Sequence, residues 1–430
     1  MQDIKSNETV GEIKDENLIF NRDEEVNRNN KRRSIPEMSE KATSPTPTTS
    51  GKISKETECN SWKNIVFYGD NNEVFRLGCN DFNVMVQQKK RTQSMAGFHE
   101  HYVDIVDYII RCTHSIWEER GIGNIYTHYH NNAQLWCPAH IEGIETVISG
   151  TLQTLHAFPD RKLVGQNVIW SGNDKDGFYT SHRISSTATN LGDSSFGPAT
   201  GKKLRFRTVA DCKVFANRIY EEWLVRDNLY IVQQLGYDPV EVAKRFARES
   251  AAKNKTALQE NFGIGEAREG QYEPELYKRR FDKFEIGDFI LEMYNKVYEW
   301  RLFNHVKTFY AENAVVHYIC DKDLVGYTQI QGMLISLFAS FGNARFIVER
   351  VTCNQRDNAN DWDMAVRWRI LGIHEGIGYF GKPSGRPVEI LGISHLRVLD
   401  EQIIEEWITF DGLDVLKQIH RQDGDNEELI

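Results

Sequence analysis

The chain has 430 residues, of which 40 % are hydrophobic and 27 % are charged, as is ordinary for a globular protein. Its formal net charge of −10, with no long basic run to offset it, disfavours nucleic acid as a partner. No stretch approaches the roughly 18 apolar residues of a membrane helix, and the polar segment Met1 to Thr9 lacks the features of a secretory signal. We therefore expect a cytoplasmic protein of two or three domains that binds neither nucleic acid nor membranes.

The cysteines predict no cross-links. Their number, seven, is odd, their spacing is wide, and no CxxC pair occurs. This pattern disfavours both a disulfide framework and a structural zinc site. We expect free thiols.

Residues 1–60 are predicted to form a disordered tail. Phe20 is their sole aromatic residue, and residues 43–50 are a low-complexity run of Thr, Ser and Pro. Such a segment buries too little apolar surface to offset the entropy lost on ordering.

Order is expected from Trp62 onward. Segments with helical apolar spacing are residues 102–120, 141–157, 238–250, 285–300 and 327–341. Strand-like runs bounded by polar turns are residues 167–170, 177–189, 203–214, 218–226, 346–353, 362–372, 388–399 and 402–410. Residues 251–283, which begin with a polar run rich in Gly, Lys and Glu, are predicted to be a linker.

The second half of the sequence repeats the first. Glu221-Glu222-Trp223 recurs as Glu405-Glu406-Trp407, a shift of 184 positions, and the same shift relates residues 203–214 to residues 387–398. Because helices precede long strands in each half, the pattern favours α+β layering over alternating βαβ units. The predicted domains are residues 61–250 and 284–430.

Several segments resemble the SnoaL-like branch of the nuclear-transport-factor-2-like superfamily. They are residues 381–388 with 392–394 and 404–407, residues 196–202 with 221–227, and residues 310–317. The resemblance implies two tandem cone domains, each a curved antiparallel sheet with packed helices that close a pocket. The superfamily contains polyketide cyclases, isomerases, dehydratases and epoxide hydrolases, and also non-enzymatic binding modules, so the fold alone does not decide the function.

The catalytic pattern of SnoaL-type cyclases is not preserved. In the family, an inward Asp acts as general acid/base one residue after the Trp of the Glu-Glu-Trp motif. Leu224 and Ile408 stand at that position, and neither side chain can carry a proton. The family's supporting His falls on Ala210 and Ser394. The cyclase mechanism therefore does not carry over residue by residue.

Strand alternation sorts the remaining candidates into inward and outward faces. If Leu224 faces inward, Glu222 and Arg226 do too, whereas Trp223 and Asp211 face outward. In the second copy the inward set is apolar apart from one carboxylate, and it consists of Glu406, Ile408 and Phe410 beside Gly392, Ser394 and Leu396. The first copy is therefore the better candidate for an enzyme.

Four residues of the first copy are candidates for chemistry. Burial would raise the pKa of Glu222 into acid/base range, and Arg226 could stabilise an anionic intermediate. His182 lies on a polar strand, and Asp211, although outward and suited to an ion pair, is the fourth candidate. The predicted substrate-binding residues are Arg183, Trp136, Tyr126, Glu406 and Ser394.

The run His128-Tyr129-His130 suggests a metal site, because both histidines would share one strand face and His140 lies nearby. No carboxylate completes a recognisable ligand set, so we expect neither metal nor cofactor. Trp223 and Trp407 recur at outward positions, where they could stack on a ligand or pack the two copies together. We favour an intramolecular pseudo-dimer, which could assemble further into a homo-oligomer.

Two hypotheses about function follow. The first is a cofactor-independent isomerase, cyclase, dehydratase or hydrolase that acts on a small apolar carbonyl compound. The second is a non-catalytic ligand-binding or scaffolding protein of the same fold. A convergent cluster of acidic and basic groups at the pocket floor would favour the enzyme.

Overall fold

The computed structural model describes residues 65–69, 74, 90–137, 139–253 and 274–421. All of them belong to one compact unit that spans Lys55–Ile430. The predicted disordered tail, residues 1–60, and residues 254–273 of the predicted linker lie outside these ranges. No helix within the ranges is long and apolar enough to cross a membrane. The cysteines described there are free thiols, namely Cys112, Cys137, Cys212, Cys320 and Cys353.

A short strand, β1 (Val66–Gly69), precedes the first module, which combines five helices with a six-stranded sheet. In chain order it consists of α1 (Ile105–Trp117), α2 (Gly123–His128), β2 (Tyr129–Cys137), β3 (Ala139–Glu142), α3 (Ile144–Ala157), β4 (Lys162–Asn173), β5 (Gly177–Thr189), β6 (Lys203–Phe215), β7 (Arg218–Arg226), α4 (Asn228–Leu235) and α5 (Pro239–Lys253). The strand order is β3-β2-β7-β6-β5-β4. Only the β2–β7 pair is parallel within this sheet.

The second module repeats this order of elements. It consists of α6 (Ile286–Met293), a π-helical turn (Tyr294–Glu299), a 3₁₀ turn (Phe303–His305), α7 (Val306–Phe309), β8 (Tyr310–Tyr318), a 3₁₀ turn (Ile319–Asp321), β9 (Lys322–Val325), α8 (Gly326–Ser340), β10 (Arg345–Gln355), β11 (Asp361–Ile373), β12 (Pro387–Leu399), β13 (Gln402–Phe410) and α9 (Gly412–Ile419). Its sheet runs β1-β10-β11-β12-β13-β8-β9. The bounds of β11, β12, β13 and α9 are those of β5, β6, β7 and α4 shifted by 184 positions.

Local chemistry explains where these elements begin and turn. Asp227 caps α4, where its carboxylate accepts a hydrogen bond from the backbone N–H of Tyr230 at 3.2 Å, and Asp411 caps α9 in the same way. The β6–β7 hairpin turns at Ala216 and Asn217, both of which have positive φ. Two consecutive positive φ angles match the right-handed twist of the strands that they join.

The structure differs from the sequence-based expectation in three places. The predicted helix at 285–300 is α-helical only to Met293 and continues as a π-helix. The short elements β2, β3, β8, β9, α2, α4 and α9 were not predicted. Val66–Gly69, which falls inside the predicted first domain at 61–250, pairs in parallel with β10 in the second sheet. Edge pairing of a four-residue strand leaves no signal in the local sequence.

The outer faces of the two sheets pack against each other. An apolar cluster there contains Val209, Trp223, Val225, Leu391 and Ile393. The guanidinium carbon of Arg367 lies 3.6 Å from the centroid of the Trp223 ring, and that of Arg183 lies 3.4 Å from the centroid of the Trp407 ring. Trp223 is therefore buried between the modules, with only 8 % of its surface exposed.

Candidate functional site

A cavity of about 230 Å³ lies in the first module between its sheet and the helices α1 and α3. Its walls are mostly apolar and include Ile109, Ile116, Ile125, Leu135, Ile184 and Leu224. Polar side chains also reach it, namely Tyr129, Arg161, His182, Thr208, Glu222 and Arg226. An apolar cavity with a few convergent polar groups is typical of a small-molecule site.

Glu222 is the buried carboxylate of this cavity. It lies on β7 beside Leu224 and Arg226, as strand alternation predicts. The hydroxyl of Tyr129 on β2 donates a hydrogen bond of 2.8 Å to Glu222 Oε2. Burial raises the pKa of Glu222 above its ordinary value, and the Tyr129 hydrogen bond and the charge of Arg226 only partly oppose this shift. Glu222 can therefore exchange a proton closer to neutral pH than an exposed Glu.

His182 and Thr208 offer unpaired polar atoms to the same cavity. His182 lies on β5 and Thr208 on β6, and within the described ranges neither His182 Nε2 nor Thr208 Oγ1 has a hydrogen-bond partner. Burial lowers the pKa of His182 to about 3, so its imidazole is neutral at pH 7. Buried polar atoms without partners are costly. A ligand that hydrogen-bonds to them would remove that cost.

Two arginines complete the polar set. Arg226 ends β7, and Arg161 precedes β4, where its Nε and Nη2 atoms donate hydrogen bonds to Ser186 Oγ. In the part of the chain that the structure describes, Arg161 Nη1 and Arg226 Nε are buried and unpartnered. Burial lowers the pKa of both guanidinium groups.

In the second module, an indole occupies the position that is open in the first. The indole of Trp368 on β11 lies over Gly392 on β12, so close that a Cβ at residue 392 would be 2.2 Å from the ring atoms. Trp368 is 1 % exposed and donates a hydrogen bond of 3.1 Å from Nε1 to Ser394 Oγ. Glu406 accepts a hydrogen bond of 2.6 Å from the Tyr310 hydroxyl, and burial raises the pKa of Glu406 to about 7. The Glu–Tyr pair thus occurs in both modules, and in the first it borders the cavity of about 230 Å³.

The positions in register show why the modules differ. Ile184 pairs with Thr208 in the first sheet, and the residues at the same positions after the shift of 184, Trp368 and Gly392, pair in the second. A small aliphatic chain and a Thr leave space that an indole over a Gly removes. Arg226 is likewise replaced by Phe410 at the same shift.

Several predicted site residues lie outside the cavity. Asp211 faces the second module, where its Oδ2 atom is 3.5 Å from Arg367 Nη1. Arg183 contacts Trp407, and Trp136 stacks on Trp223 on the outer face with ring centroids 4.7 Å apart. These three side chains point away because alternate residues of a strand face opposite sides of the sheet.

The other predicted substrate-binding residues are also separated from the cavity. Tyr126 projects from α2 with 55 % of its surface exposed. Glu406 and Ser394 lie in the interior of the second module, where Tyr310 and Trp368 hydrogen-bond to them. None of the three can contact a ligand in the first cavity.

Tyr129 and Arg161 were not among the predicted site residues. Tyr129 opens β2, a strand too polar at its start to show clear alternation, and Arg161 lies in a turn, where no periodicity assigns a direction. The internal repeat held a signal for Tyr129, because Tyr310 begins the corresponding strand of the second module.

The histidines at 128–130 do not share a strand face. His128 ends α2 and is bonded to the Tyr102 hydroxyl at 2.7 Å and to the Asn124 carbonyl at 2.8 Å. His130 belongs to β2 and stacks on the Tyr220 ring. Within the described ranges, no group of three or more His, Cys, Asp or Glu side chains is arranged to hold a metal ion.

A second cavity, of about 270 Å³, lies between the modules. Charged side chains line it, and several already pair with each other, as Arg205 does with Asp321 and His317 with Asp323. Because these charges are satisfied by one another, we place the candidate site in the first cavity.

Comparison with known proteins gives a match in the second module. The family model described as SnoaL-like polyketide cyclase matches residues 289–419. The second module has a SnoaL-like fold. Among curated proteins, none matches this chain.

Solved structures are similar to about a third of the chain. TsrD from Streptomyces laurentii is similar over 31 % of this chain and 96 % of its own, with 16 % identity and a TM-score of 0.28. A SnoaL-like polyketide cyclase from Agrobacterium tumefaciens str. C58 is similar over 30 % of this chain and 96 % of its own, with 16 % identity and a TM-score of 0.26.

Proposed function

We propose that the first module is a cofactor-independent enzyme that performs acid/base chemistry on a small apolar carbonyl compound. Its reaction belongs to the isomerase, cyclase, dehydratase or hydrolase classes. The observation that carries the proposal is a buried carboxylate, Glu222, with a raised pKa in an apolar cavity where other polar groups have no partner among the described residues. A carboxyl group with a shifted pKa, close to polar groups that are free to bind a ligand, is typical of active sites.

The step common to the isomerase, cyclase and dehydratase classes is proton transfer next to a carbonyl group. The Glu222 carboxylate takes the proton from the α-carbon, and the electron pair of the broken C–H bond moves onto the carbonyl oxygen. The protonated Glu222 then returns the proton to a carbon or oxygen atom of the same molecule. A raised pKa strengthens the base and leaves its conjugate acid able to donate near neutral pH.

His182 and Arg226 stabilise the negative charge that develops on the carbonyl oxygen. Neutral His182 donates a hydrogen bond from Nε2 in the tautomer that carries its proton there, and Arg226 adds positive charge. Both side chains are held by strands, so they are oriented before the substrate binds. Tyr129 is a positioning residue, because its hydroxyl fixes one oxygen of Glu222.

Deuterium exchange tests this proposal without knowledge of the natural substrate. The protein is incubated in D₂O with 4-phenylbutan-2-one and 4-oxo-4-phenylbutanoate, and isotope uptake at the α-carbon is followed by mass spectrometry. We expect Glu222→Gln to slow the catalysed exchange by at least about 100-fold. The matched control is Glu221→Gln, which makes the same change one residue away on the outer face, where Glu221 pairs with Lys213 at 3.1 Å.

Equal exchange by wild type and Glu222→Gln would contradict the proposal. The runner-up, a non-catalytic binding protein, is favoured by Leu224 at the position of the family's catalytic Asp. Under that alternative, small molecules would stabilise wild type and Glu222→Gln alike against heat, and neither would exchange deuterium above the background rate.

We further propose that the two modules are tandem SnoaL-like copies that form an internal pseudo-dimer. The contacts Arg367–Trp223 and Arg183–Trp407 support this, because a shift of 184 positions converts one pair into the other with the modules exchanged. The domain bounds 61–250, 251–283 and 284–430, the cytoplasmic location and a further homo-oligomer stay predictions.

A further inference from the structure

The cavity of the first module contains more positive than negative side-chain groups. The Arg161 and Arg226 guanidinium carbons lie 5.1 and 5.8 Å from the centroid of the same ring, that of Phe206. Both guanidinium groups also line the cavity. Glu222 is the carboxylate that lines the cavity with them.

Neither arginine forms an ion pair within the described ranges. The carboxylates whose charge reaches them are Glu222 and Asp411 for Arg226, and Glu118 for Arg161. Glu118 accepts a hydrogen bond of 2.7 Å from the backbone N–H of Leu163, and Asp411 caps α9. These groups are engaged elsewhere, so the two guanidinium groups keep donors available.

The free donors are specific nitrogen atoms. Among the described residues, Arg161 Nη1 and Arg226 Nε are buried and have no hydrogen-bond partner, whereas Ser186 Oγ accepts hydrogen bonds from Arg161 Nε and Nη2 at 3.2 and 3.1 Å. Burial of an unpaired cation is among the most costly arrangements in a protein interior. An anionic group of a ligand would supply the missing partner.

The second module shows that the fold does not require these charges. Phe410 replaces Arg226, and Ala344 precedes β10 where Arg161 precedes β4. The two cations therefore accompany the cavity of the first module, and the equivalent positions of the second module carry uncharged side chains.

We propose that the substrate carries a carboxylate in addition to its carbonyl group, and that Arg161 and Arg226 bind this carboxylate. The inference rests on the proposed function and names its substrate class, an apolar oxo acid. Arg161 Nη1 and Arg226 Nε can each donate a charge-assisted hydrogen bond to a carboxylate oxygen. Anchored there, the substrate presents its α-carbon to Glu222 and its carbonyl oxygen to His182, while the charge of Arg226 acts on both groups.

Calorimetric titration with a matched pair of probes tests the proposal. The probes are 4-oxo-4-phenylbutanoate and its uncharged amide, 4-oxo-4-phenylbutanamide. We expect wild type to bind the acid at least about tenfold more tightly than the amide. Arg226→Met and Arg161→Met should each lose most of that preference, and Arg226→Lys should retain part of it because it keeps the charge.

The controls separate this proposal from the proposed function. Arg248→Met removes an equal charge from the exposed face of α5 and should leave the preference unchanged. Glu222→Gln should retain the preference for the acid even if it no longer exchanges deuterium. Melting temperatures of all variants verify that they are folded.

Three results would overturn the carboxylate proposal. They are equal or tighter binding of the amide by wild type, no binding of either probe, and a preference for the acid that survives in both methionine variants. If wild type does not prefer the acid but still exchanges deuterium into the neutral ketone in a Glu222-dependent way, the carboxylate proposal fails and the proposed function stands. If wild type prefers the acid and both methionine variants lose that preference, but exchange does not depend on Glu222, the carboxylate proposal stands and the proposed function fails.

Discussion

Glu222 and Glu406 occupy equivalent strand positions, and each accepts a hydrogen bond from a Tyr that begins the neighbouring parallel strand. The sequence predicted that both carboxylates face inward, because alternation along a strand is a strong constraint. It could not predict their surroundings. Whether a carboxylate meets open space or packed rings depends on side chains from distant elements, such as Arg161 in a turn and Trp368 on another strand.

The buried Glu406 carboxyl predicts a pH-dependent stability difference. Burial raises its pKa from 4.5 to about 7, so the folded protein holds this proton more tightly than the unfolded chain does. Between these pH values the wild type therefore loses stability as pH rises, and above pH 7 the loss is complete. We expect Glu406→Gln, which still accepts the Tyr310 hydrogen bond, to gain up to roughly 3 kcal/mol relative to wild type over that range.

Urea denaturation at several pH values between 4.5 and 8 measures this difference. The control is Glu312→Gln, an exposed carboxylate on β8 of the same module. Stability curves of wild type and Glu406→Gln that run parallel across the range would show that Glu406 titrates normally.

At the scale of elements, the long hairpins were predictable and the short elements were not. The strands β5, β7 and β13 have the predicted bounds, because a long run of alternating residues between polar turns is a clear sequence signal for a strand. The helices α4 and α9 have eight residues each, too few for a clear period. The strands β3 and β9 have four residues each and are specified by their pairing with β2 and β8.

At the scale of elements, the modules also differ at one cross-strand pair, which is Ile184 with Thr208 in the first sheet and Trp368 with Gly392 in the second. Gly392 was visible in the sequence as a residue of a long strand, but its role appears only when β11 places Trp368 over it. Cross-strand register, not local propensity, decides which residues meet.

At the scale of the whole molecule, the packing of the modules predicts measurable coupling across their interface. Arg367 lies over the ring of Trp223, a cation–π arrangement away from water. In a double-mutant cycle of Arg367→Met and Trp223→Phe, we expect a coupling energy of about 0.5–2 kcal/mol in the free energy of unfolding. The related pair Arg183→Met and Trp407→Phe should give a coupling of similar size.

Chemical denaturation of each single and double variant yields these energies. Arg248→Met combined with Trp223→Phe is the control, and it should show no coupling because Arg248 lies on α5, exposed and away from this interface. Additive effects within both interface pairs would argue against a specific pseudo-dimer contact.

We propose that a small molecule binds and reacts in the cavity of the first module. The most direct measurement is α-carbon deuterium exchange by the double variant Ile184→Trp/Thr208→Gly, which gives the first sheet the Trp-over-Gly arrangement of the second. We predict that this variant stays folded, as judged by circular dichroism and its melting temperature, and loses the catalysed exchange of wild type. Exchange at the wild-type rate by the folded variant would contradict the claim.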